Sequence, residues 1–440
     1  MFSDRLVLFP ETAKIGANNQ LSIGGVNALE LAEEFGTPVY VYDDATLRSQ
    51  CRGFMKEFSA RYPSVGVSYA SKAFMARPLA RLLAEEGLGL DVVSAGELAT
   101  ATAVKFPAER IYFHGNNKTA DELEMALDSK IGRVVVDNFH ELLLLNALAG
   151  EAGRKQDILL RVAPGVDPHT HSHTTTGMLD SKFGFTLSNG QAEQAVKEAL
   201  KVANLRLAGI HVHLGSPIFE LDPFVQGIDV TIEFAAQMRD KYGLQLNEFS
   251  PGGGFAIQYL REMPPPAIST YAETITTALK DACKRHGFAL PNLVIEPGRA
   301  IVGRAGVALY TVGAVKDIPG LRKYVSVDGG MGDNIRPAIY GSKYEALVAN
   351  RVESDNVEKV TIAGKYCESG DILIKDIDLP ALRAGDIVAI PASGAYCIPM
   401  SSNYNAAFKP PVVLVSAGEA RLWRRRETIE DLLQADMGEG

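Results

Sequence analysis

Eight times between residues 66 and 299, a short run rich in β-branched residues alternates with a stretch of helical periodicity. The runs are "GVSYAS", "GLDVVS", "RIYFHG", "RVVVD", "ILLRVAP", "LAGIHVHLG", "EFSPGGG" and "LVIEPGR". Their near-continuous apolar character suits parallel strands covered by helices rather than strands with one wet face. Helical segments such as "ARPLARLLAEEG", "TADELEMALD" and "ISTYAETITTALKDACKRHG" fill the gaps, and "DATLRSQCRGFMKEFSARY" precedes the first strand. Eight is the number that closes such a sheet, so the expected fold class is α/β, a (β/α)8 TIM-type barrel. An open doubly wound sheet is the alternative.

After residue 306 the pattern changes. "GVALYTVGAVKDI", "KYVSVDGG", "EKVTIAGKYC", "GDIVAIPASG" and "PPVVLVSAGEARLW" read as strands separated by turn residues, a C-terminal mostly antiparallel β domain. The expected division is 1–36, an N-terminal segment whose strand-like "DRLVLF" pairs with the β domain; 37–305, the barrel; and 306–440, the β domain with a terminal helix. "RLWRRRE" is expected on one face of that helix.

A net charge of −9 without a Lys/Arg run argues against nucleic acid as a partner. No apolar run reaches membrane-spanning length, and "MFSDRLVLFPETAK" lacks the apolar core of a signal peptide. Four cysteines (51, 283, 367 and 397) without metal spacing fit a reducing, cytoplasmic setting.

In a barrel of this kind catalytic groups stand at the C-terminal strand ends. Those ends carry Lys72, Asp91, His114, Arg161, His213, the glycines Gly252, Gly253 and Gly254, and Glu296 with Arg299. A lysine closing an apolar strand is an amine made more nucleophilic by desolvation, or else a rim lysine. Three glycines after strand seven let backbone N–H groups approach a phosphate, or else form a tight turn. Glu296 would hold a heteroaromatic nitrogen protonated and Arg299 would fork onto a carboxylate, or the two would pair. His211 and His213 share one strand face. His213 would stack on a planar ring and Ser216 would bind phosphate, or both histidines are interior. Together these groups describe a pocket for pyridoxal 5'-phosphate.

The motifs "YASKA", "VSAGELA", "HVHLGS", "PGGGF", "EPGRAIV", "DGGMGDNIRPAIYG", "CESGD" and "GAYCIPMSSNYN" resemble those of the alanine-racemase-fold (fold type III) pyridoxal-phosphate decarboxylases. Within that family they are most similar to the branch acting on diaminopimelate, over nearly the whole chain. The resemblance implies loss of CO2 from meso-diaminopimelate to give L-lysine, the last step of lysine biosynthesis. It implies Lys72 as the lysine that carries the cofactor covalently, His213 against its ring, and Ser216 with Gly252, Gly253 and Gly254 at its phosphate. Glu296 faces the pyridine nitrogen, Asp91 is a further cofactor neighbour, and Tyr396 lies against cofactor and substrate. Arg299, Arg336 and Tyr340 bind the distal carboxylate. Cys367 and Glu368 reach in from the second subunit of a homodimer, Glu368 toward the distal ammonium. Glu97 and Arg161 match supporting positions.

The stretch "DPHTHSHTTTGMLDSKFGF", residues 167–185, carries His169, His171 and His173 at alternate positions. It matches the family's mobile loop over the pocket, with Gly177 and Gly184 permitting movement. No metal is expected, though a metal-dependent barrel hydrolase using "HVH" and "HTHSH" is one alternative class. A catalytically silent binding protein is another, and decarboxylases of ornithine, lysine or arginine remain alternatives within the family.

Overall fold

The computed structural model describes residues 6–166 and 182–438. The chain divides into two compact units, Cys51–Ala256 with Pro265–Gly298, and Met1–Gln50 with Ile257–Pro264 and Arg299–Gly440.

The first unit is the barrel. Its strands are Val65–Ala70, Gly89–Val92, Ile111–Phe113, Arg133–Val136, Gln156–Ala163, Leu205–His211, Glu248–Gly252 and Asn292–Ile295. Each pairs in parallel with the next, and the last returns to the first, which closes the sheet. All eight expected strands are present, in order, and the open-sheet alternative falls. Residues such as Leu90, Val92, Val134, Val136, Ile158 and Leu160 are fully buried because helices cover the outside while side chains fill the inside. The helices start where the sequence offers caps. Ser94, Thr119 and Asn138 accept the N–H of Glu97, Glu122 and Glu141, and each frees a polar side chain to satisfy an orphan helix donor. The two long helices, Asp222–Tyr242 and Ile268–His286, end at glycines with φ of 77° and 69°, left-handed caps that glycine adopts without strain.

The second unit is built on a mostly antiparallel sheet. Strand order is Ile372–Pro380, Val357–Ala363, Arg322–Val327, Gly306–Ile318, Val39–Asp43, Val412–Ser416 and Glu419–Arg424, with Ile387–Ile390 also on Gly306–Ile318. The expected barrel range, 37–305, includes "VYVYD" and assigns it to no strand. That segment is a central strand of this sheet, antiparallel to Gly306–Ile318 and parallel to Val412–Ser416, and all five residues are buried. The unit boundaries therefore lie elsewhere than 36/37 and 305/306. "DRLVLF" is not a strand over its described part: residues 6–9 turn, with the Phe9 N–H on the Leu6 carbonyl at 2.9 Å. Its apolar residues instead plug a core, Phe9 packing with Leu21, Leu31, Val41 and Leu309. The short strands Lys14–Ile15, Leu21–Ile23 and Val26–Asn27 pair among themselves. "RLWRRRE" is no helix face. Ala417 and Gly418, both at positive φ, turn the chain into a hairpin, and Glu419–Arg424 is its second strand. Trp423 stacks on Tyr42 at 6.1 Å, and the short helix Ile429–Leu433 begins only after a Thr428/Asp431 capping box. The edge strand Ile372–Pro380 was not foreseen, because its alternation is broken by three charges.

Candidate active site

In the barrel unit, the C-terminal strand ends gather one polar cluster around Glu296. Its Oε1 accepts the Ser250 hydroxyl at 2.6 Å, and His211 Nε2 lies 3.0 Å from Oε1 and 3.1 Å from Oε2. His114 Nε2 is 4.0 Å from Glu296 and 3.6 Å from Asp91, and Asp91 accepts the Ser68 hydroxyl at 2.5 Å. All six groups are buried. Burial pulls His114 down to about 4 and lowers His211, so both are neutral at pH 7. Burial and the nearby Glu296 charge push Asp91 well above the carboxylate range. Burial alone would raise Glu296 too, yet the facing histidines and the bonds from His211 and Ser250 hold it below its usual value. Burial and hydrogen bonding thus favour the negative charge on Glu296 over Asp91, with the Ser250 hydroxyl and the His211 imidazole facing it.

That donor set fits a pyridine nitrogen held protonated. An ionised carboxylate with one oxygen tied by Ser250 retains lone-pair capacity for one more N–H, and the charge favours a cationic one. The same geometry bears on the metal alternative. The ligand atoms of His114, His211 and Glu296 lie within 4.8 Å of one another, the spacing the metal alternative would use. His211 groups with His114 and Glu296 rather than with His213, which stands beyond the end of its strand.

The other barrel positions divide. Asp91 and Glu296 lie in the cluster. Lys72 follows the first strand in a short 3-10 turn, Ser71–Ala73, and is exposed, so the burial expected to activate its amine is not supplied by the chain alone. Glu97 Oε2 takes the Val93 N–H at 2.7 Å, and burial pushes Glu97 up to about 7, against the charge of Lys72. His213 is partly accessible, and its Nδ1 takes the Gly253 N–H at 3.3 Å. Ser216 is exposed. Gly252 and Gly254 have φ of 79° and 98°, and an added Cβ at Gly253 would stand 2.3 Å from the Glu296 carbonyl oxygen. Glycine is thus required there both by conformation and by close backbone approach. Arg161 lies 3.9 Å from Asp137 and packs 4.4 Å over Phe183. His169, His171, His173 and Gly177 fall outside the described residues.

In the second unit, two arginines converge on one phenol. Arg299 and Arg336 donate to the Tyr259 hydroxyl at 2.7 and 3.1 Å, and Arg336 also donates to the Tyr344 hydroxyl. Arg336 stacks over Tyr259 at 4.9 Å and Arg299 over Tyr396 at 4.8 Å. Both guanidiniums are at most 9% exposed. No carboxylate is within ion-pairing distance of Arg336 among the described residues, so a buried cation is held by neutral groups and suits an incoming anion. Tyr396 has φ of 63°, a left-handed conformation that costs a non-glycine residue about 1 kcal/mol and aims its ring at Arg299. Tyr340, one turn beyond Arg336, is 64% exposed. Cys367 and Glu368 are exposed on a loop of the same unit. Sequence reasoning missed Ser68, Ser250, Tyr259 and Tyr344. Ser250 was findable, two positions before Gly252 on the inward face of its strand, whereas nothing local distinguishes the two tyrosines.

Comparison with known proteins identifies the family. Residues 45–303 match the family described as pyridoxal-dependent decarboxylase, pyridoxal binding domain. The diaminopimelate decarboxylase of Bacillus subtilis is 49% identical, covering 97% of this chain and 97% of its own. That of Mycobacterium tuberculosis (strain H37Rv) is 43% identical, covering 94% of each. The crystal structure of diaminopimelate decarboxylase from M. jannaschii in co-complex with L-lysine superposes with a TM-score of 0.92 at 34% identity, covering 97% of this chain and 98% of that one. A fold and kinship of this extent lead to one assignment: the chain belongs to the diaminopimelate decarboxylases, within the pyridoxal-dependent decarboxylase family.

Proposed function

We propose that the protein removes CO2 from meso-diaminopimelate and releases L-lysine, the last step of lysine biosynthesis, with pyridoxal 5'-phosphate as cofactor. The observation that carries the reading is the pair of buried guanidiniums, Arg299 and Arg336, meeting at Tyr259. A substrate with a carboxylate at its far end uses both, and ornithine, lysine and arginine have none there.

The residues divide the work. Lys72 carries the cofactor, Glu296 accepts its pyridine N–H, His213 and Tyr396 lie against it, and Asp91 stands behind Glu296. Ser216 and the backbone of Gly252, Gly253 and Gly254 take the phosphate. The chemistry the cofactor supplies is a sink for the electron pair left on Cα when the Cα–carboxylate bond breaks. Arg299, Arg336 and Tyr340 hold the distal carboxylate and Glu368 the distal ammonium, which fixes the end that reacts. The Cys367 thiol gives its proton to Cα once CO2 has left. Cys367 and Glu368 serve the site of a second copy in a homodimer, so that each chain completes the other. The setting is cytoplasmic, in keeping with the cysteine pattern, and no helix among the described residues is long and apolar enough to cross a membrane.

The test is turnover. Protein supplied with pyridoxal phosphate should release CO2 and L-lysine from meso-diaminopimelate. Faster release from ornithine, lysine or arginine would overturn the assignment.

A further inference from the structure

The loop bearing Cys367 and Glu368 is tied to the turn that leads into Arg336 through the Asp371 side chain. Asp371 is 3% exposed. Its Oδ1 accepts the Met331 N–H at 2.6 Å and its Oδ2 the Tyr366 N–H at 2.8 Å. Its backbone joins in: the Asp371 carbonyl accepts the Gly364 N–H at 2.9 Å, and its N–H donates to the Glu368 carbonyl at 3.1 Å. Beside it the Lys365 N–H donates to the Gly329 carbonyl at 3.0 Å. Both segments carry glycine where the carboxylate lies. An added Cβ would stand 2.4 Å from Oδ1 at Gly330 and 2.1 Å from Oδ2 at Gly364. The turn continues without slack into the arginine. The Gly330 carbonyl takes the Asp333 and Asn334 N–H groups, the Asp333 Oδ1 takes the Gly330 N–H at 2.9 Å, and Arg336 opens the next helix, Arg336–Tyr340. At the far side of the loop the Cys367 N–H donates to Asn405 Oδ1 at 3.1 Å.

We propose that Asp371 is a positioning residue: one buried carboxylate fixes the Cys367–Glu368 loop, which serves the partner's site, and the Arg336 turn, which serves its own, in a single geometry, so that the groups one chain gives to the two sites are set together. Asp371 touches no substrate in this account. It acts through the two backbone N–H groups it holds. A carboxylate suits the task because both its oxygens accept, whereas an amide presents one acceptor and one donor. The roles of Cys367, Glu368 and Arg336 rest on the function proposed above; the clamp itself rests on the bonds just given.

Asp371→Asn keeps the size and sets an NH2 group against one of the two backbone donors; Asp371→Ala removes both acceptors. Hydrogen–deuterium exchange on the holoprotein reads the clamp directly. Amides of residues 364–371 and 329–336 should exchange faster together in Asp371→Asn, while barrel amides keep their rates. Steady-state kinetics on meso-diaminopimelate should show KM raised and kcat lowered together, with kcat/KM down roughly ten- to a hundredfold. A merely structural residue would shrink the active fraction and lower kcat at unchanged KM, and that result overturns the proposal. So does unchanged exchange in either segment, or faster exchange with intact kinetics. If Asp371→Ala does not fold, the asparagine variant carries the test alone. Failure of the functional reading is seen separately: Arg336→Ala and Cys367→Ala would then turn over normally, while the exchange result on Asp371→Asn still decides the clamp.

Discussion

Replacing Arg336 by alanine tests the substrate assignment most directly. The side chain is 6% exposed, donates to Tyr259 and Tyr344, and has no carboxylate partner among the described residues. A distal carboxylate bound there forms a charge-assisted bond out of water, worth about 1.5–3 kcal/mol. Its loss lowers kcat/KM for meso-diaminopimelate by about ten- to a hundredfold. The loss has a ceiling because Arg299 keeps its own 2.7 Å bond to Tyr259 and stays in place. The assay compares two substrates on two proteins, meso-diaminopimelate and L-lysine on the native chain and on Arg336→Ala. Lysine lacks the distal carboxylate, so any turnover it shows should change by no more than about twofold. An equal fall on both substrates would mean that the arginine supports the fold or the chemistry in general, and the distal-carboxylate argument would be wrong.

Borohydride reduction of the holoprotein should fix the cofactor to the peptide containing Lys72, and label on another lysine would refute that assignment. Lys72→Ala and Cys367→Ala should each be nearly inactive, yet mixing them with subunit exchange should restore about a quarter of native activity through hybrid dimers; demonstrated exchange without recovery would place each site within one chain. Glu97, pushed up to about 7 by burial beside Lys72 and Asp91, binds its proton more tightly folded than unfolded, where its value is 4.5. Its contribution is complete below about pH 4.5 and is lost as pH rises toward 7, by up to about 3 kcal/mol. Thermal unfolding of Glu97→Gln should therefore gain on the native protein between pH 5 and pH 8, and identical pH dependence of the two would count against the buried setting of Glu97.

The barrel was legible because its signal is local and repeated. Eight apolar runs at helix-separated intervals leave little choice. Motif residues were legible for the same reason, since "HVHLGS", "PGGGF" and "EPGR" each keep their chemistry within six residues. What the sequence could not decide was partnership across distance. "VYVYD" has the same composition as a barrel strand, and only its two neighbours, residues 306–318 and 412–416, place it in the other sheet. "RLWRRRE" carries its charges at a spacing a helix would accept, and a two-residue turn at positive φ decides for a strand. Glu296 stands out by its motif, but the groups that hold its charge, His211 and Ser250, come from different strands. The arginine pair depends on Tyr259 and Tyr344, and the Cys367 loop on the bond from Met331 to Asp371, 40 residues away. Periodicity records which face of an element is buried; desolvation and hydrogen bonding act between whatever groups the folded chain brings within about 3 Å, and that set exists only once the chain has folded.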